Sequence, residues 1–102
     1  MYMLVLYVPE EFLEQVKEAV FAAGAGSVGH YEACCWQTSG RGQFKPGEGS
    51  RPFFGKVGET EYVDEYRVEM VCKEEFIDEV VEALKKSHPY ETPAYVCWKV
   101  RT

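Results

Sequence analysis

The chain of 102 residues carries a formal net charge of −6 and has room for one domain with one core, residues 1–102. That acidity argues against nucleic acid, whose binding rests on a basic surface, and equally against a polybasic membrane patch. At 46% hydrophobic and 27% charged residues the composition is ordinary for a soluble protein, and no apolar run nears the roughly 18 residues that span a bilayer.

Residues 2–8, rich in Val, Leu and Tyr, predict a first strand. They lack the basic start and small-residue cleavage site of a signal peptide, so a cytoplasmic location is expected. Pro9 then stands where a helix starts, with Glu10 and Glu11 at the positive end of its dipole. Phe12, Leu13, Val16, Ala19, Val20 and Ala23 recur three or four apart and form one apolar stripe. Gly24 and Gly26 supply the stop, and a second strand is predicted over residues 28–38.

A Gly-rich stretch, residues 39–55, follows as a loop far longer than the two to five residues a hairpin needs. Residues 62–72 alternate as a third strand whose more apolar face, Tyr62, Asp64, Tyr66, Val68, Met70 and Cys72, is expected to meet the helices. Residues 73–87 predict a second helix with Phe76, Ile77, Val80, Val81 and Leu84 on its buried stripe. Lys85 and Lys86 suit its negative end, Pro89 ends it, and residues 93–100 form the closing strand.

The chain repeats itself at an offset of 64 residues. Glu10-Glu11-Phe12-Leu13 returns as Glu74-Glu75-Phe76-Ile77, Leu4 to Tyr7 as Val68 to Val71, and Tyr31 matches Tyr95. Two copies of strand–helix–strand give β-α-β-β-α-β, the ferredoxin-like α+β sandwich: one antiparallel sheet with two helices on one face and a long β2–β3 loop. Right-handed crossovers place the first and third strands centrally. The other sheet face has no helix to cover it, and with Trp36, Trp98 and several Tyr to place, a homo-oligomer that hides this face is expected.

Two stretches have no counterpart in the repeat, and function is sought there. In the Gly-rich one, Gly40, Arg41, Gly42, Lys45 and Arg51 make a locally basic, close-approach backbone suited to an anionic small molecule. Phe44, Phe53 and Phe54 are interleaved with Pro46 and glycines and imply docking onto the domain, a neighbouring subunit or a protein partner. This is neither a Walker sequence nor a strand-GxGxxG-helix arrangement. The other stretch is His88-Pro89-Tyr90-Glu91-Thr92-Pro93. Its His88 and Glu91 could serve as metal ligands or an acid/base pair. The structural alternative, which we favour, has His88 closing free helix carbonyls and Glu91 bonding nearby amides.

Catalytic patterns are thin: there is no GxSxG, HExxH or CxxC. Cys34 and Cys35 beside His30 sit in a strand pattern that offers no electropositive, accessible setting for a nucleophile. The four cysteines, Cys34, Cys35, Cys72 and Cys97, are read as reduced thiols.

Three blocks together resemble one family: Gly24-Ala25-Gly26-Ser27-Val28-Gly29-His30-Tyr31-Glu32-Ala33-Cys34, Gly40-Arg41-Gly42-Gln43-Phe44-Lys45-Pro46-Gly47-Glu48-Gly49, and His88-Pro89-Tyr90-Glu91-Thr92-Pro93-Ala94-Tyr95. The chain resembles the PII-like/CutA-like domain of Nif-three-like (interacting-factor-three) proteins, here as a stand-alone copy. The resemblance implies a non-enzymatic binding or regulatory module, often trimeric, with the long loop in the position of the PII effector loop. The loop does not match the PII sequence, so nucleotide binding is not carried over, and no cofactor is expected. CutA-like binding of a divalent metal ion is the alternative. The dinuclear metal centre of full-length Nif-three-like proteins belongs to a flanking domain not matched here, so hydrolase activity is not inherited.

Overall fold

The computed structural model describes residues 1–102. Its elements are β1 (Tyr2–Pro9), α1 (Leu13–Ala22), β2 (Trp36–Phe44), β3 (Glu61–Cys72), α2 (Ile77–Ser87) and β4 (Tyr95–Lys99). The strands form one antiparallel sheet in the order β2-β3-β1-β4, so the central pair is the one expected from the crossover rule. Leu4, Leu6 and Val8 of β1 and Val68, Met70 and Cys72 of β3 share one sheet face. Against them pack Leu13, Val16 and Val20 of α1 and Ile77, Val80 and Leu84 of α2, giving the ferredoxin-like α+β core.

The repeat holds down to backbone angles. Each helix is preceded by a single 3-10 turn, Glu10–Phe12 and Glu74–Phe76. Pro9 enters the first at φ −60°, ψ 147° and Lys73 the second at φ −65°, ψ 145°. Phe12 and Phe76 then hand over to the α-helices at φ −109° and −110°. Since Lys73 adopts the angles that proline enforces at position 9, the tight entry comes from the Glu-Glu-Phe sequence and its packing, not from the proline ring.

The second strand departs from the expectation. It covers Trp36–Phe44, not residues 28–38, so Gly40, Arg41, Gly42 and Phe44 are strand residues and not loop residues. Cys34 and Cys35 precede it, half-buried and unbridged like Cys97, while Cys72 is buried at the end of β3. The residues ahead of β2 form a turn closed by reciprocal bonds between Val28 and Tyr31. Gly29 and Ala33 there have φ of 57° and 55°, and Ala33 alone of the non-glycine residues is left-handed. Tyr31 is therefore not the counterpart of Tyr95. The true match follows from register: Val68 pairs with Gln37, and its repeat partner Leu4 pairs with Cys97. The offset thus drops from 64 to 60, and the first copy carries four extra residues in its turn.

The later register also explains an elongated outline of 46 × 24 × 23 Å. Strand β1 covers β3 only from Glu65 to Cys72, whereas β2 pairs with it from Glu61 to Glu69. Beyond Glu65 the two strands run on as a two-stranded arm. Isolated ribbons of this kind are marginal on their own. This one is braced by the Arg41 guanidinium, 4.3 Å from the centre of the Tyr62 ring, and by Phe44 at its tip.

Candidate functional site

Past the arm, residues 45–60 fold back on themselves. The Gly58 N–H donates to the Pro46 carbonyl at 2.9 Å, which closes the loop around a buried Pro46. Within it a tight turn forms at Gly47, whose carbonyl accepts the Ser50 hydroxyl at 2.7 Å. Gly49 at φ 89° and Gly55 at φ 96° supply left-handed steps that other residues resist. The loop is then pinned to the turn after α2: the Arg51 N–H donates to Glu91 Oε2 at 2.9 Å, across 40 positions of sequence. Glu91 does bond a backbone amide, but one in the long loop.

The two stretches that break the repeat thereby meet. Phe44 and Phe54 stand edge to face at 5.1 Å, Phe53 and Phe54 at 6.3 Å, and Phe53 meets Phe12 of the first 3-10 turn at 5.6 Å. Tyr90 lies tilted against Phe44, Phe53 and Phe54 at 6.1 to 6.4 Å. Such pairs add about 0.5–1.5 kcal/mol each beyond burial, enough to order a glycine-rich loop. Between the segments lies a cavity of about 260 Å³, walled by Phe44, Pro46, Phe53, Phe54 and Tyr90, with Lys45 and Glu91 lining it as well.

His88 holds this turn from beneath. It is 5% exposed, and its Nδ1 accepts the Tyr90 N–H at 3.2 Å. That assigns the proton to Nε2, which donates to the Tyr7 carbonyl of β1 at 2.8 Å. The imidazole therefore closes a strand carbonyl, where the sequence pointed to helix carbonyls. Burial lowers its pKa from the usual histidine value, and the Tyr7 carbonyl, which favours the charged form, only partly opposes this. With both ring nitrogens engaged, His88 in this arrangement has no lone pair for a metal ion. No group of three or more His, Cys, Asp or Glu side chains is placed to hold one.

The Tyr90 hydroxyl is buried without a hydrogen-bond partner. Burial raises its pKa, and the charges of Glu65 and Glu11 raise it further. Glu65 is itself raised by burial. Its carboxyl group lies where a side chain at position 42 would stand, so Gly42 is the residue that lets Glu65 fold across β2.

Of the residues singled out from sequence, Phe44, Lys45, Pro46, Tyr90 and Glu91 line the cavity. Arg51 contributes its backbone, and His88 supports Tyr90. Gly40 and Arg41 sit apart, in shallow hollows beside Glu65 on the sheet. Phe53 and Phe54, read from sequence only as docking aromatics, are cavity walls. Phe12 was hidden within a helix stripe, and only the tertiary contact shows its second role.

No protein-family profile matches the chain. A GTP cyclohydrolase 1 type 2 homolog of Halalkalibacterium halodurans is 47% identical over 95 residues, which are 93% of this chain and 26% of that protein. The protein of the same name from Bacillus subtilis is 46% identical over 97 residues, 95% of this chain and 26% of its own length. A Bacillus cereus protein related to NIF3 superposes at a TM-score of 0.85 with 33% identity, over 99% of this chain and 26% of that one. The periplasmic divalent cation tolerance protein CutA of Archaeoglobus fulgidus shares the fold, at a TM-score of 0.69 and 18% identity over 100% of this chain and 86% of that one. The chain spans about a quarter of the length of the curated relatives it matches. Over nearly its whole length the chain matches a Nif3-type domain carried by these longer relatives, and it shares the fold of CutA.

Proposed function

We propose that residues 1–102 form one non-enzymatic binding module. It takes a small ligand or a protein partner in the cavity between the arm loop and the turn after α2. One observation carries this: two segments the repeat does not share, the long loop and the turn after α2, converge on one aromatic-walled cavity, pinned to each other by Arg51 and Glu91. The activity named for the longer relatives belongs to their whole length; this quarter contributes recognition. Self-association is the companion proposal. Trp36, Val96 and Trp98 stand on the sheet face opposite the helices and are 61%, 54% and 46% exposed, an apolar surface that a second copy would cover. The trimer suggested by the resemblance is one way to do so.

A thermal-shift screen of the intact chain against organic acids, amines, nucleotides and divalent metals tests the cavity, with Phe54→Ala as control. A hit on the native chain that Phe54→Ala abolishes is the expected result. Hits that survive Phe54→Ala, or none at all together with no protein partner captured by crosslinking at position 53, would sink it. Analytical ultracentrifugation tests the companion proposal: a monomer at high concentration ends it.

A further inference from the structure

The cavity's lining is uneven in a way that specifies its occupant. Its walls are rings and prolines, and the two full charges that line it are of opposite sign, Lys45 and Glu91. They do not pair with each other, and the Lys45 ammonium takes part in none of the ion pairs, which involve Lys17, Arg67 and Lys99. Glu91 spends one oxygen on the Arg51 N–H and keeps Oε1 free of any hydrogen bond. The Ser50 hydroxyl is already engaged by the Gly47 carbonyl. A cation without an ion-pair partner and a carboxylate with one free oxygen thus line a mostly apolar cavity.

Size narrows the choice. About 260 Å³ lies below the roughly 300–1,000 Å³ of sites for drug-sized molecules, so the occupant is a small metabolite. A polyphosphate would meet one lysine and one repelling carboxylate. A bare metal ion would meet mostly rings. A purely apolar molecule would leave both charges unanswered.

We infer that this cavity binds a free α-amino acid with an aromatic or branched side chain, its carboxylate on Lys45, its ammonium on Glu91 Oε1 and its side chain among Phe44, Phe53, Phe54 and Tyr90. The inference rests on the cavity being the binding site and adds the ligand's class. Charge-assisted bonds at both ends set the requirement for a zwitterion, and the rings set the requirement for an apolar body.

Isothermal titration of the intact chain tests it with four probes: L-phenylalanine, L-leucine, 3-phenylpropanoate, which lacks the ammonium, and 2-phenylethylamine, which lacks the carboxylate. The two amino acids are expected to bind, with each charge-deleted probe about tenfold weaker or worse. Lys45→Met and Glu91→Gln are each expected to weaken L-phenylalanine by a similar factor. Glu91→Gln keeps an oxygen for the Arg51 N–H, so the loop stays pinned, and Lys45 is exposed, so neither change threatens folding. Equal binding of either charge-deleted probe overturns the zwitterion while leaving the cavity as a binding site. Binding of L-phenylalanine unchanged by both substitutions also overturns it, and so does the absence of binding by all four probes.

Discussion

The two copies of the repeat close the same carbonyl by different means. In the first copy the chain leaves α1 through Gly24, Ala25 and Gly26, and the Gly26 N–H donates to the Val71 carbonyl of β3 at 2.9 Å. In the second copy the equivalent carbonyl, Tyr7 of β1, is met at 2.8 Å by the imidazole of His88. A backbone donor demands that the main chain itself lie against the sheet end. Gly24 at φ 122° and Gly26 at φ 82° permit that, with rings of Phe76 and Phe21 filling the places a Cβ would take. In the second copy a side-chain donor meets this carbonyl, so no main-chain donor has to lie against it. Tyr90 and the long loop wall the cavity there. One end of the duplicated scaffold is thus sealed by main chain and the other by a side chain, and the cavity lies at the second.

A change in the single core that both copies share should have the largest effect. Val20 and Leu84 occupy equivalent positions and are both fully buried. Leu84→Ala should cost about 2–5 kcal/mol in urea unfolding, with loss of both ends of the molecule together. A selective loss of one end would instead show the copies to be separately stable.

A change confined to the first copy comes next. Gly24→Ala forces a left-handed residue into a position where its Cβ would lie 2.7 Å from the Phe76 ring. About 1–3 kcal/mol of destabilisation is expected, with ligand binding at the other end retained in the fraction that stays folded. If binding were lost without loss of stability, the two ends would be coupled and the comparison would need redrawing.

The smallest effect distinguishes the two donors by their chemistry, since an amide does not titrate in this range and an imidazole does. His88 has a folded pKa below its unfolded value, so on acidification the unfolded chain takes up a proton first. Its contribution is therefore complete above the ordinary histidine pKa near 6.5 and declines as pH falls through that value towards the lower, folded one. Protonated Nδ1 would also face the Tyr90 N–H as a second donor. Unfolding free energy should fall between pH 7.5 and 5, and His88→Gln, which keeps a donor for Tyr7, should flatten that slope. Hydrogen exchange should show residues 88–92 opening first in acid while Gly26 stays protected; the reverse order would refute the assignment of donors.

Most of the scaffold was legible because it follows from local periodicity. Composition marked β1, alternation marked β3, the three-and-four spacing marked both helices, and the repeat supported each by the other. Strand β2 was not legible. Gly40 and Gly42 read as loop formers, yet Gly42 is in the ladder because the Glu65 side chain needs its space. The extra four residues before β2 depend on Ala33 adopting a left-handed conformation, for which alanine gives no sign. At the site, both segments were marked by their failure to repeat. What joins them was out of view, since Arg51 to Glu91 spans 40 positions and His88 to Tyr7 spans 81. Contacts at that separation leave no periodic trace.

The placement of the tryptophans has an experimental consequence. Trp36 lies on one edge strand and Trp98 on the other, and both indoles already face water on the helix-free side of the sheet. Their fluorescence is therefore a poor reporter of unfolding and a direct one of whatever lies down on that side. A blue shift on concentrating the protein, with no change in helix content, would read assembly from two built-in dyes at opposite margins of the same surface.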